Sequence, residues 1–131
     1  MNPTEIQALI QAAEKARQHS YSPYSQYAVG CALMLENGEI ISGCNIENVS
    51  FPAGICAEQV ALAKALSEGK KLFKAMAVVT ENGGTSCGIC RQMLAEHAPD
   101  MPVISSDLSG HYHIHSVSEL LPFRFEFGVS K

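Results

Sequence analysis

Apolar residues at Ile6, Leu9, Ile10, Ala13 and Ala16 recur at helical spacing, so the chain opens with an amphipathic helix. Asn2 can cap it, Pro3 suits its first turn, and Glu5 stands where a capping-box acid would. The helix should end near His19. A polar, tyrosine-rich loop over residues 20–26 follows. Residues 27–35 and 39–44 then read as paired strands, with Asn37-Gly38 supplying the positive φ of a hairpin turn. Residues 45–55 form a loop containing Pro52 and Gly54. From about Cys56 to Ser67 runs a second helix, apolar nearly all round and stopped by Gly69. Residues 73–80 fit a central strand, residues 88–97 a third helix and residues 102–105 another strand. That succession suggests a right-handed parallel unit. Residues 111–115 read as a fifth strand and residues 116–121 as one helical turn ended by Pro122. The alternation in Phe123-Arg124-Phe125-Glu126-Phe127 suggests a last short strand.

Composition narrows the class. The 131 residues suit one domain, and a chain of this size buries roughly two-thirds of its unfolded surface. With 47% hydrophobic and 17% charged residues it reads as globular, and the low charge hints at surface covered by other subunits. The net charge of -4 and the lack of a Lys/Arg run disfavour a nucleic-acid partner. The first residues lack the basic start and apolar run of a signal peptide, and no apolar stretch approaches the roughly 20 residues that span a bilayer. The expectation is a cytoplasmic protein with no membrane partner. Five cysteines in such a setting point to metal binding or catalysis rather than disulfides.

The chemistry concentrates in two short pieces, Cys56-Ala57-Glu58 and Cys87-Gly88-Ile89-Cys90 followed by Arg91 and Gln92. Cys87 and Cys90, three apart at a helix start, put both sulfurs on one side. Cys56 begins a different helix. If the two helix N-termini face each other, three sulfurs converge and a fourth position stays open, the arrangement of a catalytic zinc with its water. The positive ends of the helices favour thiolate. Glu58, two residues beyond Cys56, points elsewhere on the helix and suits proton transfer rather than ligation. Cys-x-x-Cys alone also fits a redox pair or half of a four-cysteine structural site. Cys31 and Cys44 are candidate fourth ligands for the latter, but on strands they read better as core.

These motifs, with Tyr21-Ser22-Pro23-Tyr24-Ser25, Val29-Gly30, Gly43-Cys44-Asn45-Ile46-Glu47-Asn48, Gly54-Ile55, residues 65–69 and Leu120-Leu121-Pro122, span nearly the whole chain. Together the sequence resembles the cytidine deaminases of the small, homotetrameric, three-cysteine type. The resemblance implies a three-layer α/β/α sandwich on a mixed, roughly five-stranded sheet. It implies one zinc per chain on Cys56, Cys87 and Cys90, with Glu58 as the catalytic proton carrier. The activity implied is hydrolytic deamination of cytidine and deoxycytidine to the uridines with release of ammonia, in pyrimidine salvage. Asn45 and Glu47 match the pair that binds sugar hydroxyls, and Tyr27 the aromatic that packs on the pyrimidine. The Ala57 backbone would help Glu58 hold the base edge. Phe51 and Phe125 match aromatics that reach the pocket from neighbouring subunits, which makes the sites of a homotetramer shared.

Three departures stand out. Gln59 replaces the arginine that usually follows Cys-Ala-Glu; it can donate to sulfur but brings no charge, leaving Arg91 and the helix dipoles to offset three thiolates. Ser86 replaces a proline and should loosen the loop before Cys87. The tail after Pro122 is short. Two other readings compete: a deaminase of a modified cytosine nucleoside or cytosine-containing antibiotic, and a zinc-binding module that has lost its chemistry.

Overall fold

The computed structural model describes residues 1–128. The chain forms α1 (Pro3–Arg17), β1 (Gly30–Leu35), β2 (Ile40–Cys44), α2 (Ala57–Ser67), β3 (Phe73–Val79), α3 (Gly88–His97), β4 (Pro102–Ser106), β5 (Tyr112–Ser116) and α4 (Val117–Leu120), with one 3-10 turn at Phe51–Ala53. The strands form one sheet in the order β2-β1-β3-β4-β5. Only β3 and β4 run parallel, joined through α3 as the sequence pattern requires; the other neighbours are antiparallel.

Strand alternation divides the core. Ala32, Met34, Ala75, Ala77, Val79 and Ile104 pack under Ile6, Leu9, Ile10 and Ala13 of α1. Cys31, Leu33, Met76, Val78 and Val103 face α2, α3 and α4 on the other side. The result is a three-layer α/β/α sandwich whose β1 is buried throughout, because both of its faces are covered. Burying side chains such as Leu9, Leu33, Leu62 and Leu94 completely contributes roughly 1.5–3 kcal/mol each.

Helix α1 starts as its sequence dictates: Asn2 Oδ1 accepts from Glu5 N at 2.8 Å and Glu5 Oε1 accepts from Asn2 N at 3.1 Å. Helix α2 lies close on β1 and β2 through Ala57, Ala61 and Ala65. Gly43 permits this approach, since a Cβ there would stand 2.8 Å from Ala61 N. Ala63 and Lys64, on the outer side of α2, stay exposed. In the hairpin, Gly38 takes positive φ (91°) while Asn37 does not; Asn37 Oδ1 instead accepts from Glu39 N.

Two expectations are corrected. The first strand begins at Gly30 rather than Tyr27, because the Asn45 side chain accepts from Val29 N and donates to Tyr27 O, occupying groups a strand ladder would use. The alternating tail is not a strand. Phe123 takes a positive φ of 55°, and the tail is tied down through Gln92 Nε2 donating to Phe125 O rather than through a sheet edge.

Candidate metal centre and cavity

Two helix N-termini meet at the C-terminal end of β3. Cys56 is the N-cap of α2, Cys87 is the N-cap of α3, and Cys90 lies one turn into α3. Their sulfurs stand 3.8 Å (Cys56–Cys87) and 3.6 Å (Cys87–Cys90) apart, and all three lie within 4.8 Å of one another. Thiolates bound tetrahedrally at about 2.3 Å stand roughly 3.8 Å apart, so this donor set fits a zinc ion. Among the described residues no other cluster of three or more His, Cys, Asp or Glu side chains converges in this way. Cys31 and Cys44 lie outside it, and burial raises the pKa of both thiols. Within the cluster, hydrogen bonding from Cys90 draws Cys56 down to about 7, against its own burial and the charge of Glu58. Cys90 is pushed up by the same bond to Cys56 and by burial.

Cys56 and Cys87 border a cavity of about 410 Å³. Cys56, Ala57 and Glu58 form one wall, Thr80, Gly84, Thr85 and Cys87 a second, and Tyr27, Asn45, Glu47 and Phe51 the rim. Glu58 is 5% exposed, an acid held in a nearly dry wall beside the sulfurs. This chain's lining contains two carboxylates, Glu47 and Glu58, and neither lysine nor arginine.

The rim is built from polar side chains with most of their bonds already used. Asn45 Oδ1 accepts from Val29 N and from the Ser20 hydroxyl, and Nδ2 donates to Tyr27 O, so one amide hydrogen remains. Glu47 Oε1 accepts from Tyr24 N at 2.9 Å and Ser25 N at 3.1 Å, while Oε2 accepts from the Ser25 hydroxyl. The Ser25 hydroxyl foremost, then these backbone donors, holds the Glu47 carboxyl below its ordinary range. Tyr27 is half-buried and its hydroxyl donates to Asn82 Oδ1 at 2.6 Å. Phe51 lies on the rim, 76% exposed, edge-on to Tyr24. Phe125 is 71% exposed and does not line this cavity; Phe123 and Phe127 beside it are also exposed.

Gln59, expected to donate to sulfur, and Arg91, expected to offset the thiolate charge, are both placed differently. Gln59 directs its carbonyl oxygen to Cys56 N at 2.9 Å, acting as the third residue of a helix cap rather than as a donor to sulfur. Arg91 donates to Ser86 O, Leu120 O and Thr85 Oγ1 at 2.7–2.8 Å. These bonds reach the loop before Cys87 and the end of α4, not the thiolates. They clamp the very loop that Ser86 was expected to loosen.

Sequence reasoning passed over Ser25, which fixes Glu47, and Asn82, which receives Tyr27. Ser25 stands in a polar loop for which the sequence suggested no partner, and Asn82 in the turn after β3. The Ser-Pro-Tyr-Ser and Asn-Gly-Gly stretches were their sole signal.

A family model for the cytidine and deoxycytidylate deaminase zinc-binding region matches residues 3–105, and the chain belongs to this family. It is similar to the cytidine deaminase of Sporosarcina psychrophila, 44% identical over 124 residues that cover 92% of this chain and 91% of that one. The cytidine deaminase of Halalkalibacterium halodurans is 46% identical over 122 residues, covering 91% and 92%. Among solved structures, the cytidine deaminase of Burkholderia pseudomallei superposes with a TM-score of 0.88 at 40% identity, covering 95% of this chain and all of that one.

Proposed function

We propose that this chain, acting as one domain over residues 1–131, hydrolyses free cytidine and deoxycytidine to uridine and deoxyuridine. One water is consumed and one ammonia released per turnover. The observation that carries the reading is the nearly buried Glu58 on a cavity wall beside three converging cysteine sulfurs. Cys56, Cys87 and Cys90 would hold one zinc per chain, whose Lewis acidity would ionise a water at neutral pH. With zinc in place, Glu58 would take up that proton and deliver it to ring nitrogen N3, then carry the second proton of the same water, from the hydroxyl added at C4, to the amino group as the C4–N bond breaks. The Ala57 backbone and Glu58 hold the base edge, and Tyr27 packs on the ring. The remaining Asn45 amide hydrogen and the free lone pair of Glu47 meet the sugar hydroxyls.

The lining supports a nucleoside rather than a nucleotide. A phosphate at the rim beside Glu47, with no lysine or arginine in the lining, would meet repulsion without a partner side chain. Oligonucleotides are disfavoured for the same reason. Phe51, Phe123, Phe125 and Phe127 are all exposed, and the rings of Phe125 and Phe127 lie beside each other. We place them in the contacts of a homotetramer whose neighbours complete each site. Five free thiols suit the reducing cytoplasm, where pyrimidine salvage would use the products.

The test is ammonia release from cytidine, deoxycytidine, deoxycytidylate, a cytosine-containing antibiotic and a cytosine oligonucleotide, with zinc analysis and light scattering on the same preparation. Turnover of the two nucleosides by a zinc-loaded tetramer is expected. Preference for the antibiotic or the nucleotide would replace the substrate assignment. No turnover of any of them with zinc bound would leave a non-catalytic module. A fully active monomer would remove the shared sites.

A further inference from the structure

We propose that Asn82 is a positioning residue for this reaction, holding the Tyr27 ring in place by accepting its hydroxyl just outside the cavity wall. The inference rests on the deaminase reading above, since it presumes that the ring meets the base.

Tyr27 is fixed at both ends. Its carbonyl accepts from Asn45 Nδ2 at 2.9 Å, its N–H donates to Ser25 Oγ at 3.0 Å, and its hydroxyl reaches Asn82 Oδ1 at 2.6 Å. The acceptor is itself well anchored. Asn82 Oδ1 also takes the Gly84 N–H at 3.2 Å and lies 3.3 Å from Thr80 Oγ1. Thr80 is 3% exposed, and its N–H donates to Ser106 O at 3.1 Å, while Asn82 bridges to Asp107. The tyrosine thus spans from the sugar-side rim to a turn bolted onto the end of β4.

Gly84 shows how closely the parts are fitted. A Cβ there would stand 3.1 Å from the Tyr27 hydroxyl and 3.3 Å from Asn82 Oδ1, so a side chain would push the ring aside. Tyr27, Thr80, Gly84 and Cys87 all line the cavity, whereas Asn82 does not. Asn82 therefore acts through Tyr27. A ring pinned only at its backbone would sample other rotamers, and the base would then have to order it on binding. The bond lies at the protein surface, where hydrogen bonds contribute little net stability. Its loss should loosen substrate binding more than it lowers melting temperature.

The experiment compares KM, kcat, melting temperature and zinc content for the wild type, Tyr27→Phe, Asn82→Ala, Asn82→Asp and the Tyr27→Phe/Asn82→Ala double variant. Tyr27→Phe leaves Asn82 its other donors, so it keeps the fold. The expected result is a rise in KM for cytidine of about 3- to 10-fold in Tyr27→Phe and Asn82→Ala, with kcat within about twofold. Asn82→Asp keeps the acceptor and should stay near wild type. The double variant should be no worse than Asn82→Ala, because both changes remove one interaction. An unchanged KM in Tyr27→Phe, additive effects in the double variant, or a lowered melting temperature without a KM effect would overturn the proposal while leaving the deaminase reading intact. A zinc-loaded wild type that does not deaminate cytidine would overturn both.

Discussion

Substituting Gly43 by alanine should push a helix that carries a cysteine and the glutamate of the site, although Gly43 itself touches neither. A Cβ at Gly43 would stand 2.8 Å from Ala61 N and 2.9 Å from Val60 Cβ and Cγ1. Ordinary contact begins at 3.4 Å, so reaching it from 2.8 Å requires α2 to retreat by about 0.6 Å. One of these atoms is helix backbone and the other two belong to a β-branched side chain, which cannot swing away. Overpacking of this kind costs about 1–3 kcal/mol. For a domain of this size the melting temperature should fall by at least roughly 3 °C. Ala61 lies about one turn from the start of α2, so Cys56 and Glu58 move with it relative to Cys87 and Cys90 on α3. Since a misplacement of about 1 Å can cost roughly 100-fold, turnover should drop about 10-fold or more, and zinc should dissociate more readily. Melting followed by circular dichroism, ammonia release and retention of zinc against a chelator measure the three effects. Melting within about 1 °C of wild type together with turnover within about twofold would refute the close-packing argument.

Glu58→Gln keeps the side chain's size but removes the carboxylate that the proposed mechanism uses to carry protons; turnover should fall roughly 100- to 10,000-fold with zinc content and melting unchanged, as steady-state kinetics and elemental analysis will show. After chelation, maleimide should label exposed Cys87 and half-buried Cys56, and added zinc should protect both while labelling of Cys44 continues, as peptide mass mapping will report. The Glu47 carboxyl is held below its ordinary range, chiefly by Ser25, so its stabilising effect is complete above that range and is lost as pH falls through it. Glu47→Gln should therefore flatten the acid side of the urea-midpoint profile below about pH 4.3 and leave the profile at neutral pH parallel to wild type. Gln59→Arg deletes the acceptor for Cys56 N and should cost about 1 kcal/mol of stability, read from urea titration.

Much of the fold was legible because local signals and the apolar pattern agree. The Asn2–Glu5 box starts α1, the Asn37-Gly38 turn closes β1 on β2, and an apolar run between helices marks β3 as central. The cysteine spacing placed Cys87 and Cys90 on one side of a helix start, and the Cys-Ala-Glu piece identified the second helix N-terminus. Spacing along a chain carries such information because a helix start repeats the same geometry wherever it occurs.

What the tertiary structure decided are the partners of polar side chains. Asn45 delays the start of the first strand by taking backbone groups from Tyr27 and Val29, bonds between positions 16 and 18 residues apart. Gln59 turns to its own helix start rather than to sulfur, because an unpaired N–H one turn away is its nearest donor. Arg91 spends its guanidinium on carbonyls of the Ser86 loop and of α4, which only the packing of α4 on α3 brings within reach. The tail alternates like a strand but meets no free edge. Sequence alone determined the elements, the sulfur-bearing turns and the family, because periodicity and capping act over a few residues. Which side chain each hydrogen-bonding group satisfies, and hence how Tyr27, Glu47 and Arg91 are held, was settled only when distant segments packed. A buried or half-buried polar group takes the partner that the fold puts within about 3 Å.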